Sequence, residues 1–237
     1  MTHWNQAFLA RKLATVFVVA CCVSGGLLDA AAAQDDDPRP DNLRLVAAIR
    51  AGDIGRVEEL LASGASINTR SRIGDTLLMT ACKKGDRALF DLAMRHAADV
   101  NLGNAEGVTP VMAAAFSGDA GMLAQLLGHG ASADGHDRIG RNALEYAAGA
   151  GNASAVAVLL DSGVDINQRS RNQLTALMWA AGQGKGEVAD LLLQRGADPG
   201  LRDDRGKDAA TIARETGHAD IAQRLARPSL PADAAAR

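Results

Sequence analysis

The side chains that could do chemistry in this 237-residue chain are few and scattered. His129 and His136 flank Asp134 and Asp137, a crowding of potential metal ligands, but loop ligands without a scaffold do not hold a metal. Gly182-Gln183-Gly184-Lys185-Gly186 has the flavour of a phosphate loop, yet it lacks the Gly-x4-Gly-Lys-Ser/Thr spacing and follows a helical pattern rather than a strand. Asp35, Asp36 and Asp37 are adjacent carboxylates on a flexible stretch, which is no preorganised cation site. Cys82 occupies the same phase as Ala115, Ala148 and Ala181 and reads as a small buried residue, inert as a nucleophile. No catalytic, metal or cofactor site is therefore expected. The residues that retain binding potential are aromatic and basic: Tyr146 and Trp179, with Lys83, Lys84, Arg72, Arg138, Arg141 and Arg171.

What must position them is a repeat. The run Gly107-Val108-Thr109-Pro110-Val111-Met112-Ala113-Ala114-Ala115-Phe116-Ser117-Gly118 is a helix start followed by a helix stop. Thr109 can cap, Pro110 suits the first helical position and Gly118 can end the run. Related runs begin 33 residues earlier at Gly74 and 33 later at Gly140, and again at Gln173 and Gly206. The closing glycine recurs as Gly52, Gly85, Gly118, Gly151, Gly184 and Gly217. Asp53, Asp86, Asp119 and Asn152 follow it as N-caps of a second helix, and that helix carries an apolar pair at fixed phase, as in Leu60-Leu61 and Leu192-Leu193. Gly64, Gly130, Gly163 and Gly196 end the second helix, where a left-handed backbone is easiest for glycine; Ala97 stands at that phase and should carry about 1 kcal/mol of strain.

Composition agrees with closely packed small helices: alanine is abundant and aromatics are 3%. The net charge of −3 supplies no global basic field, and base-reading aromatics are missing, so nucleic acid is not expected as a partner. Residues 1–33 are a separate element. Arg11 and Lys12 precede an apolar run from Leu13 to Leu28, and Ala31-Ala32-Ala33 forms an Ala-x-Ala site, a signal-peptide pattern with cleavage expected after Ala33. Val18-Val19-Ala20-Cys21 resembles a lipoprotein box, which leaves lipidation of Cys21 as the alternative; the run is too short and Gly-interrupted for a membrane span. Residues 34–40 read as an acidic spacer and residues 227–237 as a disordered tail. The expected location is periplasmic or secreted.

The 33-residue pattern resembles the ankyrin repeat, in an exported bacterial form. Thr109-Pro110, Gly217-His218, Leu192-Leu193 and Gly196-Ala197-Asp198 carry parts of that family's pattern literally. The resemblance implies an all-α solenoid of about six helix-turn-helix units, 41–73, 74–106, 107–139, 140–172, 173–205 and 206–226, with projecting hairpin loops and a concave groove. It implies a protein partner, and at the Gly-His position a structural hydrogen bond of His218 within its repeat. The first and last units read as caps, and Ala133-Asp134-Gly135-His136 in place of Val-Asn should loosen the third loop.

Stacking in register places Tyr146 beside Trp179 and Ile212, a strip that is either an anchor for a partner or packing between first helices. Arginines are concentrated at the hairpin tips, where they form either a solvated mixed edge or a shallow basic rim for an acidic partner. The reading for the whole chain is a monomeric, non-catalytic scaffold, the alternative being a dedicated inhibitor or immunity protein for one enzyme or toxin.

Overall fold

The computed structural model describes residues 40–226; the signal-peptide, lipid-anchor and tail readings, and residues 34–39 of the spacer, lie outside them. The described residues form twelve α-helices in six antiparallel pairs: α1 (Pro40–Ala51) with α2 (Ile54–Ala62), α3 (Leu77–Lys84) with α4 (Arg87–Arg95), α5 (Pro110–Ser117) with α6 (Ala120–Gly128), α7 (Ala143–Ala150) with α8 (Ala153–Asp161), α9 (Ala176–Gly182) with α10 (Gly186–Gln194), and α11 (Ala209–Glu215) with α12 (Ala219–Leu225). Among these residues no helix is long and apolar enough to cross a membrane. The first pair starts at Pro40, one residue inside the stretch read as spacer, because proline is well suited to the first helical position.

Local chemistry sets the boundaries. Thr76, Thr109, Asn142, Thr175 and Asp208 each accept a bond from the amide three residues on and start the first helices. Gly85, Gly118 and Gly151 close them in the left-handed conformation. Asp53, Asp86 and Asp119 cap their own second helices in the same way. Asn152 does not: its Nδ2 donates to the carbonyls of Ala115 (3.0 Å) and Phe116 (2.7 Å), satisfying the end of α5 in the preceding unit. His218 departs from expectation in the same direction. It makes no side-chain cap on α12, and its ring lies over Gly184 of the preceding unit, where a Cβ would meet it at 2.5 Å. The residue after the closing glycine thus has two uses, a cap within its unit when it is a short acid and a brace across the junction when it reaches backwards.

The first helices stack on one another along the chain, as do α6, α8 and α10. Close approach is possible because Ala81, Ala114, Ala147, Ala180 and Ala213, one residue at a single phase in each unit after the first, are all fully buried. The apolar pair of the second helix splits by face. Leu60, Ala93, Leu126, Leu159, Leu192 and Leu225 are core, whereas Leu61, Met94, Leu127, Leu160 and Leu193 only pack against it.

Between units lie five hairpins, 71–75, 104–108, 137–141, 170–174 and 203–207, each closed by a backbone bond such as Ser71 N–H to the Asp75 carbonyl (2.8 Å) and Asp203 N–H to the Lys207 carbonyl (2.9 Å). The turn needs positive φ, supplied by Gly74, Gly107, Gly140 and Gly206, and by Gln173 at 58°. At Gly74 the space also demands glycine, since a Cβ would sit 2.6 Å from the Ala105 nitrogen of the next hairpin. Ala97 has φ 52°, as its phase requires, and is exposed. Ala97→Gly is expected to raise stability by about 0.5–1 kcal/mol, strain relief outweighing the added chain entropy. A urea midpoint that falls or stays fixed would contradict this.

Candidate functional site

The residues with binding potential separate into a helix strip and a row of hairpin tips. In the strip, Tyr146 is only 7% exposed. Its hydroxyl donates to Asp137 Oδ2 (2.8 Å) and accepts from Arg141 Nη2 (2.5 Å), while its ring meets Phe116 edge-on at 6.3 Å. The Arg141 guanidinium lies over the ring, 4.4 Å from its centroid, and Arg141 Nε reaches Asp137 Oδ2 at 2.9 Å. The other oxygen, Asp137 Oδ1, accepts the amides of Ile139 (3.0 Å) and Arg141 (2.8 Å) and so fixes the third hairpin. Burial pushes the tyrosine hydroxyl above its usual range, with Arg141 opposing and Asp137 adding to the shift. This geometry is that of a core cluster, so Tyr146 and Arg141 organise the turn rather than meet solvent. Ile212 is buried as well, whereas Trp179 is half-buried with its ring against Gly149 of α7.

The basic residues divide similarly. Lys83 is half-buried and paired with Asp75 (Nζ–Oδ2 2.6 Å), and Lys84 is exposed with Nζ 3.4 Å from the Arg50 carbonyl. Arg72, Arg138 and Arg171 are exposed at hairpin tips. Arg138 has a solvent-exposed partner, Glu106, at 3.3 Å, a pair worth little in water. Beside two of these arginines stand residues that the arginine pattern alone did not single out. Ile73 is 59% exposed and Ile139 53% exposed, two of the three large hydrophobic side chains left in solvent among the described residues. The signal for them was present in the chain: Arg72-Ile73-Gly74 recurs as Arg138-Ile139-Gly140, two units apart.

The residues weighed for other chemistry are placed otherwise. Asp137 is committed to Arg141 and Tyr146, while His129, Asp134 and His136 are exposed, and the described residues hold no group of three His, Cys, Asp or Glu suited to a metal. Gly182 ends one helix and Gly186 starts the next, so that glycine run joins two antiparallel helices. Cys82 is fully buried, and burial, aided by the charge of Asp119, pushes its thiol up to about 12.

One buried acid was not anticipated. Glu145, 2% exposed, forms a capping box with Asn142: Asn142 Oδ1 accepts the Glu145 amide (2.8 Å), and Glu145 Oε2 accepts the Asn142 amide (3.0 Å). Its Oε1 has no hydrogen-bond partner. Burial pushes the carboxyl from 4.5 up to about 7, against the lowering influence of the Asn142 amide, Ser170, Trp179 and Arg141. A raised acid favours the fold fully below its unfolded value of 4.5, and this contribution is lost as pH rises through about 7. The loss is on the order of 3 kcal/mol. Glu145→Gln should flatten that slope between pH 5 and pH 8 in thermal melts; equal slopes in parent and variant would refute the assignment.

The repeat geometry is matched by comparison with known families. A family model described as ankyrin repeats (3 copies) matches residues 45–137, 83–170, 111–203 and 144–235, windows that overlap to cover most of the chain. No curated protein matches the chain. Capped helix pairs at a 33-residue spacing, hairpins projecting between them and the matched windows lead to one conclusion: the chain belongs to the ankyrin-repeat family.

Proposed function

We propose that this chain is an exported, non-catalytic scaffold that binds a protein partner along its hairpin row and the adjoining groove. Ankyrin repeats are generally protein-interaction modules and typically non-catalytic. The observation that carries the choice of face is the pair of Arg-Ile tips, Arg72-Ile73 and Arg138-Ile139, exposed two units apart. A solvent-exposed isoleucine on a tight turn loses little conformational freedom on binding, and the neighbouring guanidinium favours an acidic surface. Arg171 extends this basic edge to the fourth hairpin, whereas Glu106 interrupts it at the second. Export rests on the charged, apolar and Ala-x-Ala pattern of residues 1–33.

Two measurements test the parts separately. For binding, mature chain from Gln34 is crosslinked in an envelope extract beside an Ile73→Ser/Ile139→Ser form, whose changes touch only exposed positions. A partner retained by the parent and lost by the variant, with unchanged helical circular dichroism, is the expected result; equal capture by both removes the hairpin row from the proposal. For export, fractionation of cells expressing the full chain should yield a product starting at Gln34 outside the cytoplasm. Lipid label on Cys21 would replace the soluble form by an anchored one, and uncleaved cytoplasmic protein would end the export reading.

A further inference from the structure

The stack is bonded unit to unit along its loop side by two kinds of link. Backbone bonds join neighbouring hairpins, from Ala105 N–H to the Ile73 carbonyl (3.1 Å), from Arg138 N–H to the Glu106 carbonyl (2.8 Å) and from Asp204 N–H to the Asn172 carbonyl (3.2 Å). Asparagine side chains join neighbouring loops, with Asn68, Asn101 and Asn167 Oδ1 accepting the amides of Asp99 (2.9 Å), Ser132 (2.8 Å) and Asp198 (2.9 Å). Both links are missing at the same place among the described residues. Arg171 N–H makes no bond to the Ile139 carbonyl, and Asp134, standing at the asparagine phase, makes none to the Asp165 amide.

The charge pattern accounts for the second omission. At the other links a neutral acceptor approaches the residue ahead, two of which are Asp99 and Asp198; Asp134 would bring one carboxylate onto another at Asp165. The helix interface beneath is also incompletely satisfied. Glu145 Oε1 on α7 and Trp179 Nε1 on α9 are both buried and close no hydrogen bond, although Trp179 and Ser170 lie near enough to the carboxyl to favour its charged form. Either side of this place is well fastened. Tyr146 ties α7 to the third hairpin through Asp137, and Asn152 ties α8 back to α5, while beyond it the fourth and fifth hairpins are bonded through Asn172 and Asp204. Two side-chain bonds cross it: Asn142 Nδ2 to Gln168 Oε1 (3.0 Å), from the start of α7 to the fourth loop, and Arg195 Nη1 to Asp161 Oδ1 (2.8 Å), an exposed ion pair between the ends of α10 and α8 that is worth little in water.

We infer that the stack contains a built-in joint between α8 and α9, at which the hairpin row divides into a rigid set of three and a rigid set of two. The paired Arg-Ile tips lie together in the first set and Arg171 in the second, so opening or closing the joint changes their relative placement without disturbing either set. This inference stands independently of whether the tips bind a partner. It supplies a conformational step that a continuous, evenly bonded ankyrin stack would lack.

Trp179 lies at the joint and is one of two tryptophans in the chain, so a full-length Trp4→Phe background makes it the sole reporter. Urea unfolding is followed by Trp179 fluorescence and by helical circular dichroism. In the parent the fluorescence midpoint should fall about 0.5 M below the helical one, the displacement expected from two absent hydrogen bonds. Asp134→Asn should narrow that gap by supplying the neutral acceptor. Coincident midpoints in the parent would overturn the joint. A gap unchanged by Asp134→Asn would also overturn it, because the early step would then be fraying from the C-terminal end. Native-state hydrogen exchange gives a reading that needs no substitution at the joint. Bonded amides in residues 162–174 should exchange through an opening smaller than global unfolding, and exchange only through global unfolding would refute it.

Discussion

Leu159→Pro is expected to cost about 5 kcal/mol or more and to divide unfolding into two transitions. Leu159 is fully buried near the end of α8, a nine-residue helix spanning Ala153–Asp161. Proline removes the amide that bonds four residues back and clashes with that carbonyl, about 3 kcal/mol or more. Loss of a close-packed leucine adds about 2 kcal/mol at least. The damage spreads because the Leu159 carbonyl accepts two further bonds, from Ser162 Oγ (2.7 Å) and the Val164 amide (3.2 Å), which turn the chain towards the fourth loop. In a linear stack each unit is held chiefly by its neighbours, so a ruined fourth unit separates three units before it from two after it. Paired urea curves, one from Trp179 fluorescence and one from circular dichroism, measure the effect. A single transition at the parent midpoint would contradict it.

Asp137→Ala is expected to cost about 3–5 kcal/mol, the range for removing one member of a buried ion pair. The carboxylate of Asp137 is 3% exposed and serves four donors at once: the amides of Ile139 and Arg141, the Arg141 guanidinium and the Tyr146 hydroxyl. Alanine leaves Arg141, itself 14% exposed, with a poorly solvated charge over the Tyr146 ring. Asp137→Asn is the discriminating control. Asn104 occupies the same phase one unit earlier, and its Oδ1 accepts the equivalent pair of amides, from Glu106 (3.0 Å) and Val108 (3.0 Å). The asparagine variant should therefore keep the turn and lose only the charge pairing, costing about half as much as alanine. Equal losses in the two variants would mean that the amides contribute little; no loss in either would mean that the cluster is not structural.

Much of the fold was legible because its signals are local and recur. Threonine before the first helix, aspartate before the second and glycine after each act within four residues, so a linear reading yields about six helix pairs and the positive φ at Ala97. The candidate face was legible only in part. Arg72, Arg138 and Arg171 are exposed at tips because a hairpin turn projects its central residues, a property of position alone. Tyr146 could not be separated from an exposed anchor by phase, since Ala47 at the same phase is exposed, Thr80 is half-buried and Ile212 is core.

The sequence by itself determined the period, the helix boundaries and which residue types recur at each phase, because those follow from caps, turns and apolar spacing along a short stretch of chain. Tertiary structure alone decided where side chains of equal phase send their polar atoms. Asp119 caps its own helix and Asn152 braces the unit before it; Asn101 links two loops and Asp134 links none; Asp137 gathers Arg141 and Tyr146 into the core. The physical reason is that the alternatives compete: a local partner a few residues on, as for Asp119 and Asp137, against one about a repeat away in sequence but within bonding distance in space, as for Asn152 and Asn101, so the outcome depends on reach, charge and burial, none of which a single period contains.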